Sequence, residues 1–158
     1  MRKQKGFSLI ELLIVVAIIL IIAAIAIPNL LRSRIAANEA SAVGSMRTIN
    51  TAETTYNSTY PTVGYSLSLA NLAGSTCTAP TSTAACLIDS TLANTSQSAP
   101  KSGYYFTYGS SSALGYTLNG TPATQGSSGV KNYYTDGTGV IRYIAGAGTA
   151  TLTDAAIQ

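Results

Sequence analysis

The chain has 158 residues and a formal net charge of +3, with nine Lys and Arg against six Asp and Glu. Charged residues make up only 9% of it, far below the roughly 25% of an ordinary soluble domain. The chain has no His, which excludes Ser-His-Asp and Cys-His catalysis and His-ligated metal sites. Its two Cys cannot form a four-Cys zinc site. We therefore expect one domain with no enzymatic activity and no cofactor.

The excess of positive charge lies in the first residues of the chain. Arg2, Lys3 and Lys5 lie there, and the remaining six bases are balanced by the six acids. A basic surface for nucleic acid needs an excess of Lys and Arg on the folded domain. Direct binding of nucleic acid is therefore not expected.

Residues 7–31 form an apolar segment in which Glu11 is the only charged residue. As a helix, this segment spans roughly 37 Å, enough to cross a hydrocarbon core of about 30 Å. The positive-inside rule places the basic start in the cytoplasm and the residues after Arg32 outside. The sequence therefore predicts a single-pass membrane helix with a short inner tail and the bulk of the chain outside.

Two simpler interpretations of the apolar segment remain open. A secretory signal peptide could be cut at Ala24-Ile25-Ala26, but the segment is long and carries an acid near its start. A plain membrane anchor would leave Glu11 without a role. Since an ionisable group costs about 2.5–3.5 kcal/mol at the centre of a membrane helix, and less near its end, such a residue usually has a function.

The helical pattern continues through residues 32–60. Apolar residues at helical spacing form one stripe, which consists of Ala42, Val43, Met46, Ile49, Tyr56 and Tyr60. Pro61 disfavours helical backbone in the residue before it, so the helix should end at Tyr60. Pro28 removes one internal hydrogen bond and predicts a bend, and Gly44 is a weaker hinge.

The rest of the chain predicts an irregular connection followed by a small sheet. Residues 61–100 are rich in Ser, Thr and Ala, with short helical pieces expected at 66–73 and 84–93. Tyr-rich, β-branched runs separated by Gly and Ser predict an antiparallel meander within 101–144. Its four strands are expected at 103–108, 115–118, 130–134 and 140–144. The tail, 145–158, gives only a weak signal.

This pattern predicts an α+β fold. A small antiparallel sheet needs a cover for its apolar face. The apolar stripe on the second half of the helix is the obvious cover. The long helix, bent near Pro28, and the sheet should therefore form one folding unit.

Lys5-Gly6-Phe7-Ser8-Leu9-Ile10-Glu11-Leu12, followed by an apolar helix, resembles the cleavage and methylation signature of type IV pilins. The resemblance covers residues 1–31, and the type IVa pilins, type II secretion pseudopilins and competence pseudopilins share this signature. It implies that a membrane prepilin peptidase cuts after Gly6 and N-methylates Phe7. It also implies polymerisation of the mature chain through its N-terminal helix.

Simple electrostatics gives Glu11 a role in that polymer. Glu11 lies about one helical turn from the amine that cleavage would create on Phe7, and the amine of a neighbouring copy could reach the same carboxylate. A buried carboxylate and a buried ammonium are each costly alone but tolerable as a pair. The pairing therefore predicts that Glu11 sets the register of a helix bundle.

Two further features concern the exported part. Cys77 and Cys86 predict a disulfide that staples a surface loop, the alternative being two free buried thiols. Asp136 is a weak calcium candidate, because major pseudopilins hold calcium in a late loop. Only Asp154 is a further acid nearby, whereas calcium takes 6–8 oxygen ligands. The Asp136-Gly137 pair is explained equally well by a hairpin turn.

We therefore expect a non-catalytic structural subunit of a type IV pilus, used in adhesion, twitching motility or DNA uptake. The alternatives are a pseudopilin of a type II secretion system and, in another class, a membrane-anchored binding domain that never polymerises. The expected partners are identical subunits in a helical filament, the prepilin peptidase, an inner-membrane assembly platform, and membrane lipid before assembly. The expected location is the bacterial inner membrane and then an extracellular pilus, or a periplasmic pseudopilus.

Overall fold

The computed structural model describes residues 7–74 and 77–157. The leader predicted at 1–6 lies outside the described residues. The chain divides into two compact units, one ending at Arg34 and the other starting at Ile35.

The first unit consists of the apolar part of one long helix, α1, which runs from Leu9 to Thr59. Its large apolar side chains from Leu9 to Leu31 are 45–79% exposed. The helix is long and apolar enough to cross a membrane by length and composition, with a mean hydropathy of 3.3 in its most apolar window. Pro28 lies inside the helix, and the bend expected there stays a prediction.

The second unit is built on the other half of α1. The helix ends at Thr59, one residue before the expected end, and Pro61 follows two residues later. The buried apolar residues of this half are Ala42, Met46, Ile49, Ala52 and Tyr56. Val43 and Tyr60 are partly buried against the same core. The predicted apolar stripe is therefore confirmed.

The sheet is an antiparallel meander in which each strand pairs with the next one along the chain. Its strands are β1 (Tyr104–Ser112), β2 (Gly115–Pro122), β3 (Lys131–Asp136), β4 (Arg142–Ala145) and β5 (Ala155–Ala156). Along β2, buried and half-buried residues alternate, as expected for a strand with one face on the core. This confirms the α+β fold of a long helix packed on a small antiparallel sheet.

The tail, whose sequence carries only a weak signal, contributes the fifth strand of the sheet. In β5, Ala155 pairs with Tyr143 and Ala156 with Arg142. The strand has only two residues, and Ala has a low preference for strands. The local sequence pattern therefore could not predict β5, because its position is set by pairing with β4.

The connection between helix and sheet contains two helices that are shorter than expected, α2 (Leu69–Leu72) and α3 (Ser90–Ala93). The short α3 is explained by backbone hydrogen bonds between residues 85–88 and the end of α2. The amide of Ala85 donates to the carbonyl of Asn71 at 2.8 Å, and the amide of Leu87 donates to that of Leu72 at 2.7 Å. The backbone amides of residues 85–88 therefore donate to the end of α2, and they are not available for the hydrogen bonds of a helix.

Each short helix starts at a polar N-cap. Ser68 accepts from the amide of Asn71, and Asp89 accepts from the amide of Leu92 at 2.7 Å. Hydrogen bonds from the Thr91 hydroxyl and the Leu92 amide, with a smaller effect of Lys101, lower the pKa of Asp89 to about 2. Capping by Ser and Asp fixes where these single-turn helices begin.

Tyrosines supply much of the core between α1 and the sheet. Tyr104, Tyr116 and Tyr133 are at most 4% exposed. Tyr104 and Tyr133 stack at 5.7 Å between ring centroids, and the hydroxyl of Tyr104 donates to the carbonyl of Lys131 at 2.7 Å. These rings fill the volume that the few Leu, Ile and Val of the second unit leave open.

Alkaline pH should destabilise the second unit. Burial is the main cause that raises the pKa of Tyr104, Tyr108, Tyr116 and Tyr133 above the usual value of about 10. The unfolded chain releases these protons first, so the free energy of unfolding falls as pH rises above 10, by about 1.4 kcal/mol per pH unit for each tyrosine. Absorbance at 295 nm, recorded together with circular dichroism in detergent micelles, should show these four ionising only as the fold is lost. Ionisation of all ten tyrosines near pH 10 with unchanged dichroism would contradict this.

Candidate functional site

The start of α1 is fixed by a hydrogen bond between Ser8 and Glu11. The backbone amide of Ser8 donates to Oε2 of Glu11 at 2.9 Å, and the amide of Leu12 donates to the carbonyl of Ser8 at 3.3 Å. Ser8 thus lies at the N-cap and Glu11 at the third helical position, which is the Glu half of a capping box. The carboxylate also lies near the positive end of the helix dipole, where a negative charge is favoured.

Phe7, the predicted start of the mature chain, directly precedes the residue whose amide donates to Glu11, the predicted assembly residue. Phe7 precedes the N-cap and its side chain is 82% exposed. Gly6, the predicted cleavage position, lies outside the described residues. The hydrogen bond to Glu11 uses the amide of Ser8, a bond that cleavage after Gly6 leaves in place. Cleavage at this position and capping by Glu11 are therefore compatible.

Pro28 leaves one backbone acceptor of the apolar segment without its helical donor. Proline has no amide hydrogen, so the carbonyl of Ala24 cannot receive the usual bond from four residues on. In a hydrocarbon environment such a group is costly unless another donor reaches it. This is the physical basis of the bend predicted at Pro28.

A second polar site lies inside the other unit, centred on Glu53. Glu53 is fully buried. Its Oε2 accepts from the amide of Ser66 at 3.0 Å, and its Oε1 accepts from the hydroxyls of Ser66 and Tyr108. The two hydroxyls also lie 2.9 Å apart. Glu53 therefore ties α1 to the segment after it and to β1, using neutral donors only.

Burial of Tyr108 supports its role as a donor in this cluster. Burial first, and then the charge of Glu53 and the hydrogen bond to it, raise the pKa of the Tyr108 hydroxyl well above its usual value. The hydroxyl thus stays protonated at all physiological pH values. The protonated phenol donates to Oε1 of Glu53, and this contact joins β1 to α1.

Two more residues of α1, Asn50 and Glu39, hold the helix on the sheet. The amide of Asn50 donates to the hydroxyl of Thr135 at 3.0 Å, and its oxygen accepts from the hydroxyl of Tyr116 at 2.9 Å. Glu39 accepts from the amides of Val130 and Lys131 at 3.0 and 3.2 Å and forms an ion pair with the Lys131 ammonium at 3.3 Å. These polar contacts flank the apolar stripe and orient the sheet on the helix.

Cys77 and Cys86 form a disulfide. The loop that it closes is attached to α1, because the hydroxyl of Tyr56 donates to the carbonyl of Ser82 at 2.6 Å. A Cβ on Gly74 would lie 2.3 Å from Sγ of Cys86, so only glycine fits there. The disulfide therefore staples a surface loop, as predicted, and the loop is anchored on the core rather than free.

Asp136 fixes a turn between β3 and β4. Its Oδ1 accepts from the amide and the hydroxyl of Thr138, at 2.9 and 2.5 Å. The amide of Gly139 closes the turn onto the carbonyl of Asp136, and Gly139 has a φ of +75°. Within residues 7–74 and 77–157, no group of three or more His, Cys, Asp or Glu is placed to hold a metal ion. The turn accounts for Asp136 by itself.

Two of these roles were missed in the sequence. The capping box had a local signal, since Ser8 and Glu11 have the spacing of that motif. The sequence signal for the buried role of Glu53 was weak. Glu53 is seven residues from Met46 and from Tyr60, and this spacing indicates a position on the inner side of the helix. Its donors, Ser66 and Tyr108, are 13 and 55 residues away, and no spacing rule could have found them.

Comparison with known proteins places the first helix in a recognised group. The family model described as the prokaryotic N-terminal methylation motif matches residues 1–27. The type IV wide pilus major component PilA4 of Thermus thermophilus is 67% identical over 39 residues, which are 25% of this chain and 30% of that protein. The type II secretion system core protein G of Vibrio cholerae is 40% identical over 70 residues, 42% of this chain and 48% of that protein.

A third relative, the type IV major pilin protein PilA of Myxococcus xanthus, is 43% identical over 54 residues, 34% of this chain and 24% of that protein. The matched regions thus span between a quarter and a half of these relatives. Together with the motif, they support the type IV pilin and pseudopilin family, which confirms the resemblance seen in the sequence. Members of this family are structural subunits and not enzymes.

Removing the Glu53 carboxylate should destabilise the second unit strongly. Glu53→Ala removes the acceptor shared by the Ser66 amide and the hydroxyls of Ser66 and Tyr108 and leaves a cavity, so we expect a loss of about 3 kcal/mol in the free energy of unfolding. Glu53→Gln keeps one acceptor oxygen and should cost less, and Tyr108→Phe should cost about 1 kcal/mol. Denaturant titration followed by near-ultraviolet dichroism of the tyrosines measures these losses.

Thr54→Ala is the matched control for this series. Thr54 is an exposed neighbour on α1 whose hydroxyl donates to the carbonyl of Asn50. Its replacement by a better helix former should leave stability unchanged or slightly higher. Equal effects of Glu53→Ala and Thr54→Ala would show that the buried cluster does not hold the fold together.

Proposed function

We propose that this chain is the subunit of a type IV pilus, processed after Gly6, N-methylated at Phe7 and polymerised through its N-terminal helix. A role as a type IV pilin or type II secretion pseudopilin follows from the motif and the relatives. The proposal adds the filament type, the processing position and the assembly residue. Adhesion, twitching motility and DNA uptake are the activities that such a filament would serve.

The observation that carries the proposal is the uncovered apolar surface of α1. Every large apolar side chain from Leu9 to Leu31 is exposed within the chain. Burying apolar surface stabilises by about 25 cal/mol per Å², so a helix of this kind stays in lipid or packs against other apolar helices. A membrane-held precursor and a helix-cored filament provide these two environments in turn.

Glu11 would fix the register between adjacent subunits, which contacts between apolar surfaces do not define. Its Oε2 is held by the amide of Ser8, and this hydrogen bond orients the carboxylate at the start of the helix. The N-terminal ammonium of an adjacent subunit would then complete an ion pair in a low-dielectric bundle. An unpaired charge there is strongly unfavourable, so only the register that pairs each amine with a carboxylate is stable.

The relatives support the pilus more than the pseudopilus. The protein with the highest identity among the three relatives, 67%, is named a major component of a type IV wide pilus, and a second is named a type IV major pilin. The pseudopilin remains the second candidate because its match, with protein G of a type II secretion system, extends over 70 residues. That match is longer than the apolar segment.

The proposed path begins in the bacterial inner membrane. The precursor would be inserted with its basic leader in the cytoplasm, where the prepilin peptidase cuts it. An assembly platform in the same membrane would then move each subunit into the filament. Because the filament core replaces lipid contacts with contacts between apolar helices, little free energy is needed for each subunit that moves.

Loss of the Glu11 charge should block assembly after processing. In cells that express the full chain, Glu11→Ala and Glu11→Gln should both give a membrane-held monomer whose mass is that of a chain starting at methylated Phe7. Filaments in the sheared surface fraction should fall at least about tenfold, since an unpaired buried ammonium costs several kcal/mol. Mass spectrometry and electron microscopy provide the two readouts.

The Gln variant separates the two roles of Glu11, because Gln also serves in a capping box. Asp136→Asn is the control, since it removes one negative charge from the other unit while Asn still suits the turn.

Normal filaments from Glu11→Gln would rule out the ion pair. A mature chain starting near Ile27 would favour the signal peptide, and unpolymerised wild-type protein would favour the anchored binding domain. Filaments confined to the periplasm and required for secretion would favour the pseudopilus.

A further inference from the structure

Two arginines stand directly at the outer end of the apolar segment. Arg32 and Arg34 follow Leu31, and both are exposed. Neither forms an ion pair with any residue in the part of the chain that the structure describes. Ser33, which lies between them, donates its hydroxyl to the carbonyl of Asn29 at 3.0 Å. Among the described residues, these two guanidinium groups are therefore cations at this level of the helix that no carboxylate pairs with.

The two arginines point in nearly opposite directions. Successive residues of an α-helix are turned by about 100° and rise by 1.5 Å, so Arg32 and Arg34 lie roughly 200° apart around the axis and only about 3 Å apart along it. A protein partner that packs on one face of the helix would meet only one of them. A flat layer of anionic groups that surrounds the helix would meet both.

The distance from Glu11 to Arg32 matches the thickness of a bilayer core. No charged residue occurs between them. The 21 steps correspond to about 31 Å of helix, and the hydrocarbon core is about 30 Å thick. When the backbone of Arg32 lies at the outer boundary of the hydrocarbon, its long side chain reaches the phosphates, Glu11 lies at the inner boundary, and neither charge is placed in hydrocarbon.

We propose that Arg32 and Arg34 form a collar that binds the phosphate groups of membrane phospholipids and sets the depth of the subunit before assembly. Guanidinium stays charged at all pH values and binds phosphate oxygens in a bidentate manner. This inference rests on the proposed membrane insertion and cleavage. Cleavage after Gly6 removes Arg2, Lys3 and Lys5, so the collar then carries all the cationic side chains that flank the membrane segment.

The collar can be tested by measuring depth in vesicles. The chain contains no Trp, so Ile27→Trp adds a unique fluorescent reporter about 7 Å below Arg32. The processed chain with this reporter is reconstituted in vesicles of phosphatidylcholine and phosphatidylglycerol that contain lipids brominated at different depths. Arg32→Gln with Arg34→Gln should move the depth of strongest quenching by roughly 3 Å or more, the rise of two residues. Arg32→Lys with Arg34→Lys should keep most of the original depth.

Arg47→Gln is the matched control, because Arg47 is another exposed arginine of α1 that lies 13 residues beyond Arg34. It should leave the depth of the reporter unchanged. An unchanged depth in the Arg32 and Arg34 double variant overturns the collar, and so does an equal shift with Arg47→Gln. Loss of filaments at unchanged depth would assign the arginines to contacts with a second copy instead. Absence of quenching in the wild-type background would show that membrane insertion itself, and with it the proposed function, is wrong.

Discussion

The apolar surface of α1 between Leu9 and Leu31 is the constraint on which the rest of the molecule depends. These side chains are exposed within their own chain, and leaving them in water is unfavourable by about 25 cal/mol for each Å². The segment therefore requires a second component, either lipid or further copies. Since both are equally apolar, exchange between them changes the free energy little, and directional order must come from the few polar groups at the ends of the segment.

The acidic side chains of this chain share one structural role. All six accept a hydrogen bond from a backbone amide: Glu11 from Ser8, Glu39 from Val130 and Lys131, Glu53 from Ser66, Asp89 from Leu92, Asp136 from Thr138 and Asp154 from Thr151. In each case the carboxylate fixes a cap, a turn or a junction between elements. The acidic side chains among the described residues therefore all take part in fixing the backbone.

Features that depend on local sequence patterns could be predicted, whereas contacts between residues far apart in the chain could not. The apolar stripe of α1 and the order of the four main strands depend on local periodicity and turn residues, so they could be predicted. The two-residue strand β5 depends on β4, and the backbone hydrogen bonds of residues 85–88 depend on α2. At the candidate site, Glu11 was found because a charge inside an apolar helix is conspicuous. Glu53 was not, because its significance lies in Ser66 and Tyr108, which only the fold brings to it.

The distribution of charge along the chain gives the proposed cleavage after Gly6 a physical consequence beyond the new amine. The precursor carries its whole excess of +3 in the first five residues, and residues 7–158 have six basic and six acidic side chains. In the proposed precursor the leader would hold the chain in one orientation by the positive-inside rule. After the proposed cleavage the side chains of the chain would be neutral in sum. Because self-repulsion grows with net charge, a neutral subunit would add to a growing polymer with less repulsion than a precursor that keeps its leader.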